Sequence, residues 1–172
     1  MKTRLSKRLF GAAWLLLAFT CAASAQAGTC SNASLRGNYG FTMSGEILPA
    51  PGAVLPVAGV AMTHFDGKGN LSQVDFVMRG GSSAAPPGSP LTDNGFRSGE
   101  TGTYTVNSDC TGLAAIHFSD GSEIDLKLVV VSRGGEIHTV VSALKTPTGA
   151  TLPSAVRSDA LRVGPADEHD ED

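Results

Sequence analysis

Aromatic residues make up only 6 % of this 172-residue chain and charged residues 17 %, while glycine appears 21 times and proline nine. With frequent Val, Thr and Ser, that profile points to a β-rich fold with many tight turns. No helix-length apolar pattern stands out. Basic residues are few and dispersed, so there is no surface for phosphate neutralisation, and nucleic acid is excluded as a partner. The apolar stretch from Leu9 to Ala18 is too short to anchor the chain in a bilayer. No Gly-x-Ser-x-Gly elbow places a nucleophile, and no second pair of ligands stands at zinc spacing. The sequence therefore specifies no catalytic residues, no metal ligands and no cofactor.

What is present begins with an export signal over residues 1–25. Lys2, Arg4, Lys7 and Arg8 form a basic start, the apolar stretch follows, and Ala23-Ser24-Ala25 supplies a small-x-small cleavage site. Cleavage after Ala25, or after Ala27, removes Cys21 and the lone Trp14. Phe19 and Thr20 stand where a lipoprotein site needs small residues before its cysteine. The chain is thus expected to be exported, as a secreted or periplasmic protein. Of 13 basic and 16 acidic residues, the signal carries four basic ones, leaving nine against 16. Five of those acids fall in the last six residues, so residues 164–172 read as a disordered acidic tail and the body as near neutral. Residues 26–163 are the right size for one domain with one core.

Two cysteines remain after cleavage, Cys30 and Cys110. In an oxidising compartment they are expected to pair, and closing a loop of about 80 residues stabilises a fold by roughly 4 kcal/mol.

Strand patterns recur at short intervals. Asn38 to Ile47 alternates, with Tyr39, Phe41 and Met43 on one face. Val57 to Phe65 leads into the glycine-rich turn Asp66-Gly67-Lys68-Gly69-Asn70. Leu71 to Arg79 follows, with Val74, Phe76 and Met78 expected inward. Gly80 to Gly95 is a Gly/Ser/Pro-rich loop. Further strands cover Glu100 to Asn107, Leu113 to Ser119, Glu123 to Ser132, Glu136 to Leu144 and Ala155 to Val163. Eight sequential strands joined mostly by hairpins predict an all-β, eight-stranded antiparallel up-and-down β-barrel, closed to remove its edges. In that topology Cys30 and the turn bearing Cys110 lie at the same end. Ser31 to Leu35, which can span roughly 16 Å when extended, would cross and plug that mouth.

Three segments carry a resemblance: Arg36-Gly37-Asn38-Tyr39-Gly40-Phe41, Phe65-Asp66-Gly67-Lys68-Gly69-Asn70-Leu71, and Thr101-Gly102-Thr103-Tyr104-Thr105-Val106-Asn107-Ser108-Asp109-Cys110-Thr111-Gly112. They resemble a family of small exported bacterial proteins whose calycin-like barrel is similar to that of plant allene oxide cyclase. The likeness covers residues 30–145. It implies a fold and not an activity, because the matching residues are turns and strand starts; no cyclase residue is carried over.

Asp66 to Ser72 has the outline of a calcium loop, but Lys68, Leu71 and Val77 occupy the ligand, glycine and glutamate positions, so a hairpin turn is the expectation. His64, His117 and His138 lie on strands; alternation beside Ile116 and Phe118 sends His117 outward. Asn32-Ala33-Ser34 and Asn70-Leu71-Ser72 match the glycosylation sequon by chance. Candidate pocket residues are those expected inside the barrel: Tyr39, Phe41, Met43, Phe76, Met78, Tyr104, Phe118, Leu126 and Leu128, with the tyrosine hydroxyls as polar anchors and the Gly80 to Gly95 loop as a lid. The expected function is non-catalytic binding of a small apolar molecule. An envelope-associated interaction protein with a packed core is the alternative, and a cyclase or isomerase by fold analogy is third. The strand phases place no two titratable groups together inside.

Overall fold

Side-chain alternation interrupted by glycine-rich turns resolves into ten strands in the computed structural model, which describes residues 29–164. The strands are β1 (Arg36–Ile47), β2 (Leu55–Asp66), β3 (Asn70–Arg79), β4 (Ser82–Ser83), β5 (Arg97–Val106), β6 (Thr111–His117), β7 (Glu123–Val131), β8 (Glu136–Lys145), β9 (Thr151–Leu152) and β10 (Ser154–Val163). Strands β4 and β9 are two-residue additions beside β3 and β8. The other eight run in the order β10-β1-β2-β3-β5-β6-β7-β8, and β10 pairs antiparallel with both β1 and β8. The sheet thus closes on itself as the expected eight-stranded antiparallel barrel, leaving none of these eight strands as a free edge. The expected signal (residues 1–25) and nearly all of the expected acidic tail lie outside the described residues.

One mouth is plugged. Cys30 and Cys110 form a disulfide with a Cα–Cα separation of 5.0 Å. From there a single 3-10 turn, Asn32–Ser34, carries the chain across the barrel end into β1. Asn32 holds it down by accepting the Val106 amide at 2.8 Å and donating to Lys68 O at 3.3 Å. Leu35 then points into the barrel, fully buried beside Tyr39 and Ile137. The Tyr104 hydroxyl is shared between Leu35 O at 2.9 Å and Asn32 O at 3.0 Å. The Tyr39 hydroxyl donates to Gly134 O and accepts from Arg162. Phe65 sits edge-on between the two tyrosine rings, its centroid 5.3 and 5.0 Å from theirs. Gly134, at the β7–β8 turn, has φ +84°, and a Cβ there would stand 2.1 Å from Ser34 O. Only glycine lets the plug and that turn approach so closely.

The opposite mouth is bounded by the connections 48–54, 80–96, 118–122 and 146–153. A second apolar cluster lies there, with Ile47, Val57 and Val156 surrounded by Leu55, Val77, Val141, Leu144 and Leu152. The 80–96 connection is not the featureless loop its composition suggests. Ala84 N donates to Val77 O, Leu91 bridges to Arg97, and Gly95 N closes a turn on Thr92 O.

The phase of β3 departs from the expectation. Leu71, Gln73, Asp75 and Val77 face inward, while Phe76 is 40 % exposed on the outer wall and packs against Phe96 there. Val74 and Met78 share that outer parity. The cause is the β2–β3 hairpin, whose register sets Phe65 opposite Leu71 and Thr63 opposite Gln73. Directly opposed residues share a face, so the buried Phe65 commits Leu71 and every second residue after it to the inside.

Candidate functional site

Small side chains on the inner faces leave the middle of the barrel incompletely filled. Ala114 and Ser158 point inward among Phe41, Ile116 and Leu128. A cavity of about 100 Å³ results, lined mainly by apolar side chains and reaching the unplugged mouth at Arg79, Ala84, Ser122 and Ser154. An apolar protein cavity of about 150 Å³ takes benzene, so by proportion this one takes about four carbons. It is well below the ~300 Å³ at which drug-sized sites begin. The lumen is neither solid nor large. Its size suits a very small molecule or one short apolar segment.

One wall of the lumen is polar, and a bulge puts it there. Gln73 pairs with Glu100 and Asp75 with Arg97, so two-residue spacing on β3 meets three-residue spacing on β5. The extra residue is accommodated at Ser98-Gly99, with Gly99 at φ +79°. Arg97 and Glu100, which strict alternation would send to opposite faces, therefore both point inward, 5 % and 1 % exposed. Arg97 grips Asp75 with two prongs, Nε to Oδ1 at 3.1 Å and Nη2 to Oδ2 at 2.7 Å. Glu100 Oε1 lies 2.6 Å from the same Nε as an ion pair but accepts no hydrogen bond among the described residues, because that N–H is aimed at Asp75. Glu100 Oε2 accepts from Gln73 Nε2 at 3.0 Å, and Gln73 Oε1 accepts from Thr63 at 2.8 Å. The Arg97 guanidinium also stacks 4.1 Å above the Phe118 ring.

Burial, reinforced by the Asp75 charge, pushes the Glu100 carboxyl from its ordinary 4.5 up to about 7; Arg97 and Gln73 oppose the rise. Gln73, Asp75 and Arg97 line the cavity, and Glu100 is held behind them by its hydrogen bond from Gln73 and its ion pair with Arg97. The expectation that no two titratable groups meet inside the barrel is corrected here: Asp75, Arg97 and Glu100 do. Their polar atoms are directed chiefly at one another. Across the lumen a second polar pair, Thr139 and Ser158, shares a hydrogen bond of 2.6 Å.

The sequence-derived pocket residues divide into three sets. Phe41, Met43, Phe118, Leu126 and Leu128 line the cavity. Tyr39 and Tyr104 are buried, yet their hydroxyls are occupied at the plugged end, so they anchor the plug and not a ligand. Phe76 and Met78 lie on the outer wall, for the register reason given above. The residues missed are Thr63, Gln73, Asp75, Arg97 and Glu100. The hairpin turn between Phe65 and Leu71 carried the signal for the first three; nothing simpler than the Gly99 bulge reveals the last two together.

The three histidines among the described residues stay outside the barrel. His64 bonds Asn38, His117 pairs with Glu123, and His138 pairs with Asp159 and Glu136. Among the described residues no three of His, Cys, Asp and Glu are grouped to hold a metal ion. Asp66 Oδ1 accepts the backbone amides of Lys68, Gly69 and Asn70, and Oδ2 accepts the Asn70 side chain. Those bonds, the Asn70 side chain foremost, hold its carboxyl well below the usual range. The loop is a self-capped hairpin turn.

Fold and lumen together define a closed, eight-stranded antiparallel barrel, sealed at one end and hollow toward the other. A structural likeness exists to an S-type phycobiliprotein lyase, CPES, from Guillardia theta: 12 % identity over 81 % of this chain and 96 % of that one, with a TM-score of 0.47. A likeness at that level carries no argument about activity. No family model and no curated protein matches the chain.

Proposed function

We propose that this chain is an exported β-barrel, akin to the small bacterial proteins with allene oxide cyclase-like barrels, that holds a small, largely apolar molecule in its lumen without converting it. The apolar cavity is the observation that carries this reading. Its lining is mostly aliphatic and aromatic, and its size selects a ligand whose buried part is about four carbons. Binding without chemistry is supported by the bonds within the polar wall. Among the described residues, Asp75, Arg97, Glu100 and Gln73 direct their hydrogen bonds and ion pairs chiefly at one another and not into the cavity. Export is supported by the Cys30–Cys110 disulfide, which belongs in an oxidising compartment. It is also supported by the basic, apolar and small-x-small pattern of residues 1–25. Among the described residues no helix is long and apolar enough to cross a membrane.

Cavity filling tests the reading. Ala114 is buried on the inner face of β6 and lines the cavity. Ala114→Leu adds three carbons where about four fit. Wild-type protein should show saturable methyl chemical-shift changes with 1-pentanol, confined to the cavity lining, and the variant should show none while unfolding at the same or a higher denaturant concentration. Equal changes in both proteins, or none in the wild type, would refute the lumen as a binding site.

A further inference from the structure

Arg79 is the last residue of β3 and shares the inner parity of Gln73, Asp75 and Val77, lining the cavity where it reaches the unplugged mouth. Its guanidinium is half-buried, and its one hydrogen bond among the described residues runs from Nη2 to the carbonyl of Ala84 at 3.3 Å. No carboxylate among the described residues forms an ion pair with it. Asp75 is gripped by Arg97. Asp120 acts on Arg79 only from a distance, its own Oδ1 taken by the Ser122 amide and hydroxyl. Burial, then the like charge of Arg97, disfavour the charged form of Arg79. A half-desolvated cation beside apolar walls is costly until an anion meets it. A guanidinium meets a carboxylate best, through two parallel N–H···O bonds. Below it, the cavity admits only a short apolar tail.

We propose that the lumen takes a short-chain monocarboxylate, with its tail among Phe41, Ile116, Phe118 and Leu126 and its carboxylate on Arg79 at the mouth. The inference rests on the lumen being a binding site and adds the ligand's charge and its direction of entry. The Asp75 and Glu100 carboxylates do not repel it strongly, because Arg97 stands between them and pairs with both.

Pentanoate and 1-pentanol carry tails of matching length and differ in charge. Titrated into the full-length, disulfide-bonded protein, pentanoate is expected to bind about tenfold more tightly than 1-pentanol, the worth of one charge-assisted contact. Arg79→Gln should remove that advantage and leave 1-pentanol affinity within about twofold. Arg79→Lys should keep part of it, and rising salt should erode it in the wild type. Retained 1-pentanol binding in Arg79→Gln also reports that the lumen is intact. Equal affinity of the two probes for the wild type overturns the inference alone. So does an equal loss of both on Arg79→Gln, which would make Arg79 a structural residue of the mouth. Binding of neither probe overturns the lumen reading and this inference together.

Discussion

Glu100 makes the stability of the barrel depend on pH in a direction opposite to that of an ordinary paired carboxylate. The residue is 1 % exposed, with Oε1 accepting no hydrogen bond among the described residues, and its carboxyl is raised from 4.5 to about 7. A raised folded-state value means that the folded chain holds the proton more tightly than the unfolded chain. The stabilisation is fully present below about 4.5, falls as pH rises toward 7, and is gone above it. At ~1.4 kcal/mol per pH unit the fall amounts to about 3 kcal/mol. Glu100→Gln keeps the shape and cannot ionise. If the Gln73 amide and the Thr63 hydroxyl turn over, an amide chain still links the three residues. The variant should therefore lack the fall and be the more stable protein at pH 8. Asp66, Asp109, Asp120 and Asp125, all lowered, and His138, raised, titrate in both proteins and cancel in the difference. Urea unfolding between about pH 5 and 8, with the disulfide intact, measures that difference. About 2.5 kcal/mol of the fall lies between about pH 5 and 8, so with a slope of about 2 kcal/mol per molar urea the gap between the two midpoints should change by about 1.2 M. A gap that stays constant, or changes the other way, would refute the account of Glu100 as a buried, proton-holding carboxyl.

Two further outcomes test the plug. Replacing Cys30 and Cys110 together by Ser opens a crosslink between residues 80 apart and should cost about 4 kcal/mol in guanidinium unfolding; a loss under about 1 kcal/mol would mean the crosslink adds little constraint. Leu35→Ala should cost about 2–5 kcal/mol, because Leu35 is fully buried beneath the disulfide among Tyr39, Tyr104 and Ile137. It should also speed amide exchange at Val106, whose N–H is held by Asn32, and unchanged exchange there would show that the plug does not act as a packed unit.

Much of this architecture is legible in the amino-acid sequence. Alternation in Asn38 to Ile47 and the hairpin punctuation at Asp66-Gly67 and Asp120-Gly121 are local signals, so eight strands in meander order could be read directly. The crossing of Ser31 to Leu35 beneath the cysteine pair followed from strand parity and chain reach alone. The polar wall was less accessible. Reading Val74, Phe76 and Met78 inward trusted hydrophobicity, whereas the interior of β3 is Gln73 and Asp75. Hydrophobicity misled because the outer wall also carries apolar side chains: Val60 and Met62 lie beside Phe76 and Val74 there, at 43 % and 38 % exposure.

The amino-acid order by itself determined the strands, their turns and the disulfide that pins one mouth, because each depends on residues close in sequence or on a single long-range pair. Only the tertiary structure decided what the lumen contains. A bulge at Gly99 turned Arg97 and Glu100 to the same side, and the register inherited from Phe65 brought Asp75 and Gln73 to meet them. Small residues on separate strands left a gap that no one segment encodes. Face assignment in a barrel is a cooperative property of register, so a one-residue shift in a neighbouring strand outweighs the hydrophobicity of any single side chain.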